Sequence, residues 1–355
     1  MRFKYILNFA VVTMLLLLVA CSNGYGTSST TVEKSSVDSS VDESKSKLVV
    51  LATTPMIGEL VKQVADDSID VNILMSYAVD PHSFEPSPQD VKKIEEADLV
   101  FYTGLKYESV NLLKLLQNSV QSQELLVELA ARINPIEFTE DDHDDEDMHD
   151  DHNEHGNEGE HVGHDHGIYD PHFWFDPTRV ALAVGEIKNE LIKLDPDNKD
   201  AYESTATSYI AELTALDEQI EALIQTVPSN NRQMITTHES LGYLESRYDL
   251  EILVTIIPSI TSEDDVTPKQ LLSVIEEVKE HKIKVIFLET ESPTKSSEII
   301  AQETGVSLVS GLWVETLQEN QSYIDFLNTN VNLIVENLIK YGHDDDHGDE
   351  DMHEK

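Results

Sequence analysis

Residues 198–226 (NKDAYESTATSYIAELTALDEQIEALIQT) contain neither glycine nor proline, and their apolar side chains recur at three- and four-residue steps: Tyr202, Tyr209, Leu213, Leu216, Ile220 and Leu223. That spacing lays one apolar stripe along a helix. The stretch is more than twice the average helix of roughly 11 residues, so it must span much of whatever it packs against. It also divides the chain, because the pattern on its two sides is alike and differs from its own.

Before it, short apolar runs alternate with helical spacing. Residues 47–53 (KLVVLAT) read as a buried strand and 57–64, following Pro55, as a helix; 71–75 is a strand, 88–96 a helix with Val91 and Ile94 inward, 99–102 (LVFY) a strand and 110–116 a helix. Residues 178–194 form one amphipathic helix, ended by Asp195-Pro196. Beyond the long helix the alternation restarts, with strands at 233–237, 252–257, 285–288 and 307–309 and helices at 241–248, 268–281, 296–304 and 323–340. Strands separated by helices imply a parallel sheet covered on both faces. The fold class is α/β: two α/β lobes with mostly parallel sheets, residues 48–177 and 228–342, joined through a helical segment, 178–227, whose single long helix resists hinge bending.

Residues 140–166 cannot belong to either core. They read EDDHDDEDMHDDHNEHGNEGEHVGHDH, with seven histidines and thirteen carboxylates. Such a stretch has almost no apolar surface to offset the entropy of ordering. It offers imidazole nitrogens and carboxylate oxygens, the donors of first-row metals. The tail 343–355 (HDDDHGDEDMHEK) repeats the composition, and the pair of tracts points to metal handling.

The first twenty residues read as a targeting segment: Arg2 and Lys4, then an apolar run too short for a stable span, ending Leu18-Val19-Ala20-Cys21. That ending resembles a bacterial lipoprotein box, in which Cys21 becomes the lipidated first residue. Cys21 is the only cysteine, so no intramolecular disulfide and no thiolate zinc site is available. Residues 21–47, rich in Ser, Thr and Gly, form a tether between membrane and body. The formal charge of −44 owes much to the two tracts, and with only 24 Lys and Arg the chain is a poor partner for nucleic acid. Its field suits a cation.

Ten of the fourteen histidines lie in the tracts; the others are His82, His172, His238 and His281. His82 and His172 each sit in an Asp-Pro-His step, the first within VDPHSFEPSP and the second beside Phe173, Trp174 and Phe175. The prolines stiffen the first loop and the aromatics wall off water from the second. His238 ends a strand. Open α/β sheets place ligand sites after their strands, which is where these three fall. His281, between Glu280 and Lys282 at a helix end, reads as solvated. Three imidazoles with one oxygen suit tetrahedral zinc best, though copper, nickel and ferrous iron also accept imidazole.

Four stretches carry a family resemblance: DPHSFEPSPQDVKKIEEADLVFYTGLKYE (80–108), DPHFWFDP (170–177), TTHESLGYLESRYDL (236–250) and VIFLETESPTKSSEIIAQETGV (285–306). In combination they are specific, and from about Leu48 to Tyr341 the chain resembles the metal-binding receptors of bacterial ABC importers, in their zinc branch. The resemblance implies a metal site in the interlobe cleft of a monomeric, lipid-anchored, extracytoplasmic receptor. Its cargo would be Zn2+ and its partners an ABC permease and ATPase. His82 and His172 match the two ligands of the first lobe and His238 the first ligand of the second. Manganese-type relatives carry Glu at that third position. The insertion before DPHFWFDP is also similar to the zinc branch. Many relatives add a carboxylate in the loop after the last short strand. Here Ser310-Gly311-Leu312 stands in that place and the next acid is Glu315, so water, Glu315, Glu239 or Glu289 remain open as the fourth donor.

Other readings are a manganese or other divalent-metal receptor, a metal buffer or an adhesin. A zinc hydrolase is disfavoured: His238-Glu239 lacks the second histidine of H-E-x-x-H, and no Gly-x-Ser-x-Gly elbow occurs. Neutral imidazoles as ligands place the weakening of binding near pH ~6.5.

Overall fold

A computed structural model places residues 47–65, 69–77, 79–137, 169–259, 266–290 and 295–342. The leader, Cys21, the tether, the 140–166 tract and the 343–355 tail lie outside the described residues.

Two four-stranded sheets are present among the described residues, and every strand pairing within them is parallel. The first contains β1 (Val49–Ala52), β2 (Asp70–Ile73), β3 (Leu99–Tyr102) and β4 (Leu126–Glu128), in the order β2-β1-β3-β4. The second contains β5 (Gln233–His238), β6 (Glu251–Ile257), β7 (Val285–Glu289) and β8 (Ser307–Leu312), in the order β6-β5-β7-β8. The two orders are the same topology. In both, chain direction across the sheet reverses between the two central strands, which is where a parallel sheet opens a crevice at its carboxyl edge.

Helices α1 (Pro55–Ala65), α2 (Pro88–Glu95) and α3 (Val110–Ser119) serve the first sheet; α6 (Gly242–Tyr248), α7 (Pro268–Glu280), α8 (Lys295–Thr304) and α9 (Tyr323–Gly342) serve the second. Their starts follow the sequence. Ser87 and Thr267 each head a capping box with a proline at the first helical position.

Helix α4 (Pro177–Leu194) leads to α5 (Lys199–Ile224), the long connector expected from the sequence. Its stripe Tyr202, Tyr209, Leu213, Leu216 and Ile220 is buried, and Leu223 packs half-buried beside it. Both halves share its contacts: α1 on one side, α9 on the other. Asp217 on α5 also accepts the Arg247 guanidinium (3.0 and 2.5 Å) and the Tyr248 hydroxyl (2.8 Å) of α6. One hydrophobic core therefore runs from Val50 and Phe101 of the first sheet, through α4 and α5, to Phe287 and Phe326 of the second half. Each fully buried large side chain in it is worth about 1.5–3 kcal/mol, so hinging the halves apart would expose far more than one ion could return.

Strand β4 was not legible: LVE sits in a run (QELLVELAAR) whose spacing reads as helix, and only pairing with β3 makes it a strand. Strand β8 is three residues longer than expected. Its last part includes exposed Ser310 and Gly311 at φ 107°, beside a register shift in the pairing with β7.

Candidate metal centre

The three candidate histidines all lie at or beyond the carboxyl ends of strands. His82 follows β2, in the proline-stiffened loop; His172 belongs to the crossing from β4 to α4; His238 is the last residue of β5. The repeated Asp-Pro-His has a common local cause. In each copy the aspartate carboxylate turns back onto the histidine backbone: Asp80 Oδ1 accepts from His82 N at 2.9 Å, and Asp170 Oδ1 from His172 N at 2.8 Å. The intervening proline presets the bend.

All three imidazoles are buried, and two of them are also oriented through Nδ1. Asp170 Oδ1 lies 2.9 Å from His172 Nδ1, and Glu289, the last residue of β7, places Oε2 2.6 Å from His238 Nδ1. A carboxylate on Nδ1 leaves Nε2 as the lone-pair nitrogen and raises its basicity, the usual support for a metal-ligating histidine.

The Nε2 atoms converge on Glu315, three residues beyond β8. Glu315 Oε1 is 2.9 Å from His238 Nε2 and 3.5 Å from His172 Nε2, while Oε2 is 3.5 Å from His82 Nε2. One donor atom from each of the four residues lies within 4.8 Å of the other three. Their exposure is 5% for His82, 0% for His172 and His238, and 1% for Glu315. Despite this crowding, none of the three Nε2 atoms and neither Glu315 oxygen has a hydrogen-bond partner. A buried polar atom left so costs about 1–3 kcal/mol. Gathered around one point, these donors form a cage that a single cation would satisfy. Among the described residues no other such group of metal donors occurs.

Of the three aromatics expected to wall the site, all are buried but only Trp174 faces it, with Phe173 packed against Trp174 and Phe175 against Phe326. Trp174 lies edge-on to His172 at 5.5 Å between centroids. Tyr107 completes the wall, 4.9 Å from the His82 ring and 5.7 Å from that of His172. Hydrogen bonds lace the two halves together around the site. Tyr107 Oη donates to the Glu315 carbonyl (2.9 Å), Trp174 Nε1 to that of Val314 (2.9 Å), Tyr323 Oη to that of Trp174 (2.9 Å) and Tyr243 Oη to that of Asp170 (3.1 Å).

The carboxylates dominate the electrostatics. Burial works to lower the His172 pKa, but Glu315 and Asp170 outweigh it and hold the ring up at about 9. His238 is likewise raised well above the ordinary imidazole range, burial being overcome by Glu289 and then Glu315. Glu315 is held well below the carboxylate range: burial opposes, and His82 and His172 prevail. Without metal the cage thus holds protons, which an incoming ion must expel.

Of the acids left open by the sequence, Glu315 stands in the cage and Glu289 stands behind His238. Glu239 is elsewhere: its carboxyl faces Thr255 Oγ1 (3.4 Å) and lines a separate cavity of about 470 Å³ with Glu137 and Glu245. His281 caps α7 at the surface, 3.3 Å from Glu277. Sequence reasoning missed Asp170 and Tyr107 as supports. The repeated Asp-Pro-His was a signal for Asp170; nothing local marked Tyr107.

Comparison with known proteins finds a family and relatives that span most of the chain. The family described as "Zinc-uptake complex component A periplasmic" (ZnuA) matches residues 50–337. The manganese ABC transporter substrate-binding lipoprotein scaA of Streptococcus gordonii is 28% identical over 86% of the chain and 94% of its own length. The high-affinity zinc uptake system protein ZnuA of Bacillus subtilis is 29% identical, over 93% and 97%. The solved structure of the periplasmic zinc-binding protein TroA from Treponema pallidum superposes with a TM-score of 0.70 at 22% identity, covering 82% of this chain and 99% of that one, and so shares the fold.

Proposed function

The chain belongs to the ZnuA family of metal-binding, substrate-binding proteins of ABC importers, and from that premise we propose that its cargo is zinc, held by His82, His172, His238 and Glu315. The family is one of receptors, not enzymes, so what has to be derived is capture and release. The observation that carries the choice of metal is the donor set: three imidazole nitrogens and one carboxylate oxygen, all buried and none hydrogen-bonded. Three nitrogens and one oxygen in a tight, dry cage match four-coordinate zinc. Manganese prefers oxygen donors and more of them. Sequence identity does not decide between the two, because the zinc-named and manganese-named relatives are 29% and 28% identical.

Capture follows from the carboxylates. With the imidazoles neutral, Glu315 and the supporting Asp170 and Glu289 bring three negative charges to a dication, which answers the compensation that three histidines alone cannot supply. Glu315 compensates by contact; the other two act through the rings that they orient. The −44 formal charge of the chain steers cations toward the protein. The tracts at 140–166 and 343–355 act as auxiliary collectors, a role their histidine and carboxylate composition suits.

Release requires the cage to open without separating the halves, whose common core holds them. The segment carrying Glu315, beyond the end of β8, is the part that can leave. Docking on the permease would draw it away. We place the protein outside the cytoplasmic membrane, tethered through lipid on Cys21, with the permease and its ATPase as partners. Competitive titration of the chain with zinc and manganese tests the choice of metal: one tight zinc site, lost in His238→Ala and little affected by manganese, is the expected result. Equal competition by manganese would reassign the cargo.

A further inference from the structure

The turn after β3 is strained and held from several sides. Gly104, Leu105 and Lys106 have φ of 88°, 52° and 65°, a region side chains rarely adopt unless their surroundings demand it. Those surroundings are two carboxylates. Glu108, itself buried, accepts from the Thr53 hydroxyl (2.8 Å), Thr103 N (2.7 Å) and Gly104 N (3.0 Å). Glu128 Oε1 accepts from Leu105 N at 2.9 Å. Thr53 directly follows β1 and Thr103 directly follows β3, so Glu108 ties the turn to both central strands at the crevice. A burial this costly for a carboxylate, used neither as a metal donor nor on a histidine, asks what the turn is held for.

The turn presents one side chain, Tyr107, which is fully buried. Its ring lies against His82 and His172, and its hydroxyl crosses to the other half to donate to the main-chain carbonyl of Glu315 (2.9 Å). Glu315 is not placed by its own sheet, since β8 stops at Leu312. Its main chain is held from the first half, by Tyr107 and by Trp174 on the preceding carbonyl. We propose that Tyr107 is a positioning residue for Glu315: its hydroxyl holds the carboxylate against the three imidazoles and thereby sets how long an ion is retained, while Glu108 fixes the turn that presents it. The proposal rests on the reading that these four residues hold zinc.

The structure supplies a reporter, because Trp174 lies 5.5 Å from the His172 ring, and its signal is read in a Trp313→Phe background that removes the only other tryptophan of the chain. Zinc release into excess chelator, read by stopped-flow fluorescence, is compared in a double-mutant cycle of Tyr107→Phe and Glu315→Ala. Tyr107→Phe keeps the ring and removes one hydrogen bond, so release should quicken about three- to tenfold. In the Glu315→Ala background the same change should alter release by less than about twofold, because the group it positions is gone. Glu108→Gln should quicken release in the same direction, with its effect largely absorbed once Tyr107→Phe is present. Equal acceleration in both backgrounds would mean that Tyr107 acts through the histidines or general packing, and no acceleration in the parent would mean that it positions nothing; either overturns the proposal. A failure of the zinc reading looks different: His238→Ala would then leave the zinc signal of the parent unchanged.

Discussion

Glu315 Oε1 lies 2.9 Å from His238 Nε2, an ion-pair distance, and no further hydrogen-bond partner reaches either atom. Atoms this near and this buried share a proton when no metal lies between them. Here Nδ1 of the same ring is already taken by Glu289, and the Nε2 atoms of His82 and His172 crowd the same carboxylate. The arrangement gathers three imidazole nitrogens and a carboxylate around a common point, where protons stand in for the ion when metal is absent.

The carboxylates behind the rings should matter nearly as much as the ligands. Glu289→Gln and Asp170→Asn should each weaken zinc binding by about 10- to 100-fold, the usual cost of losing an outer partner of a ligating histidine. Glu239→Gln, next in sequence to His238 but facing Thr255, should leave affinity unchanged. Calorimetric competition titrations would separate the two classes. Parity among the three substitutions would dissolve the distinction.

Zinc affinity should climb with pH well beyond the ordinary imidazole range. His172, held up at about 9, and His238, raised well above its usual value by Glu289 and Glu315, both favour the protonated ring without metal, so zinc would have to displace protons to bind. Log affinity should rise by about one unit per pH unit for each proton displaced, levelling only near pH 9. The sequence alone placed this change near ~6.5; the neighbouring carboxylates move it upward. A profile already flat above pH 7 would contradict the electrostatics described.

Metal-free stability should run the other way. A histidine whose pKa goes from 6.5 unfolded to about 9 folded stabilises the native state fully below pH 6.5 and loses that contribution as pH rises through 9. For His172 this is on the order of 3 kcal/mol. Glu315, lowered on folding, contributes above its ordinary pKa of 4.5 and is lost in acid. Urea unfolding of chelator-treated protein should therefore be hardest between roughly pH 5 and 6.5. Zinc should remove the decline above that range. A metal-free protein equally stable at pH 6.5 and 9 would speak against a protonated cage.

Much of this was legible and some was not, for reasons that lie in particular residues. Helix α5 declared itself because its buried stripe needs only local spacing, and β3 because LVFY is apolar throughout. His82, His172 and His238 could be singled out as the non-tract histidines following strands. Glu315 could not be chosen over Glu289 or Glu239. That choice depends on where β8 ends, and the polar Ser310-Gly311 concealed its last residues. Tyr107 was invisible for a related reason: its partner, the Glu315 carbonyl, lies 208 residues away. Local pattern finds elements, while partners across the interface appear only when both sheets are in place.

The connector should behave as scaffold. Leu213→Ala, in the core common to both halves, should cost about 2–5 kcal/mol of stability. Zinc affinity at 25 °C should stay within about twofold, because the residue is remote from the cage and effects at independent sites add. A large loss of affinity would show that α5 does more than join the halves.

The most direct test is zinc K-edge absorption spectroscopy on protein carrying one equivalent of zinc, with residues 140–166 and 343–355 removed. The first deletion is bridged by the β-bridge between Glu137 and Tyr169, which brings its ends together. The expected result is a four-coordinate ion with three imidazoles and one oxygen at about 2.0–2.2 Å, and a missing imidazole in His238→Ala. Fewer than three imidazoles in the parent, or no zinc retained once the tracts are gone, would contradict it and assign the binding to the tracts.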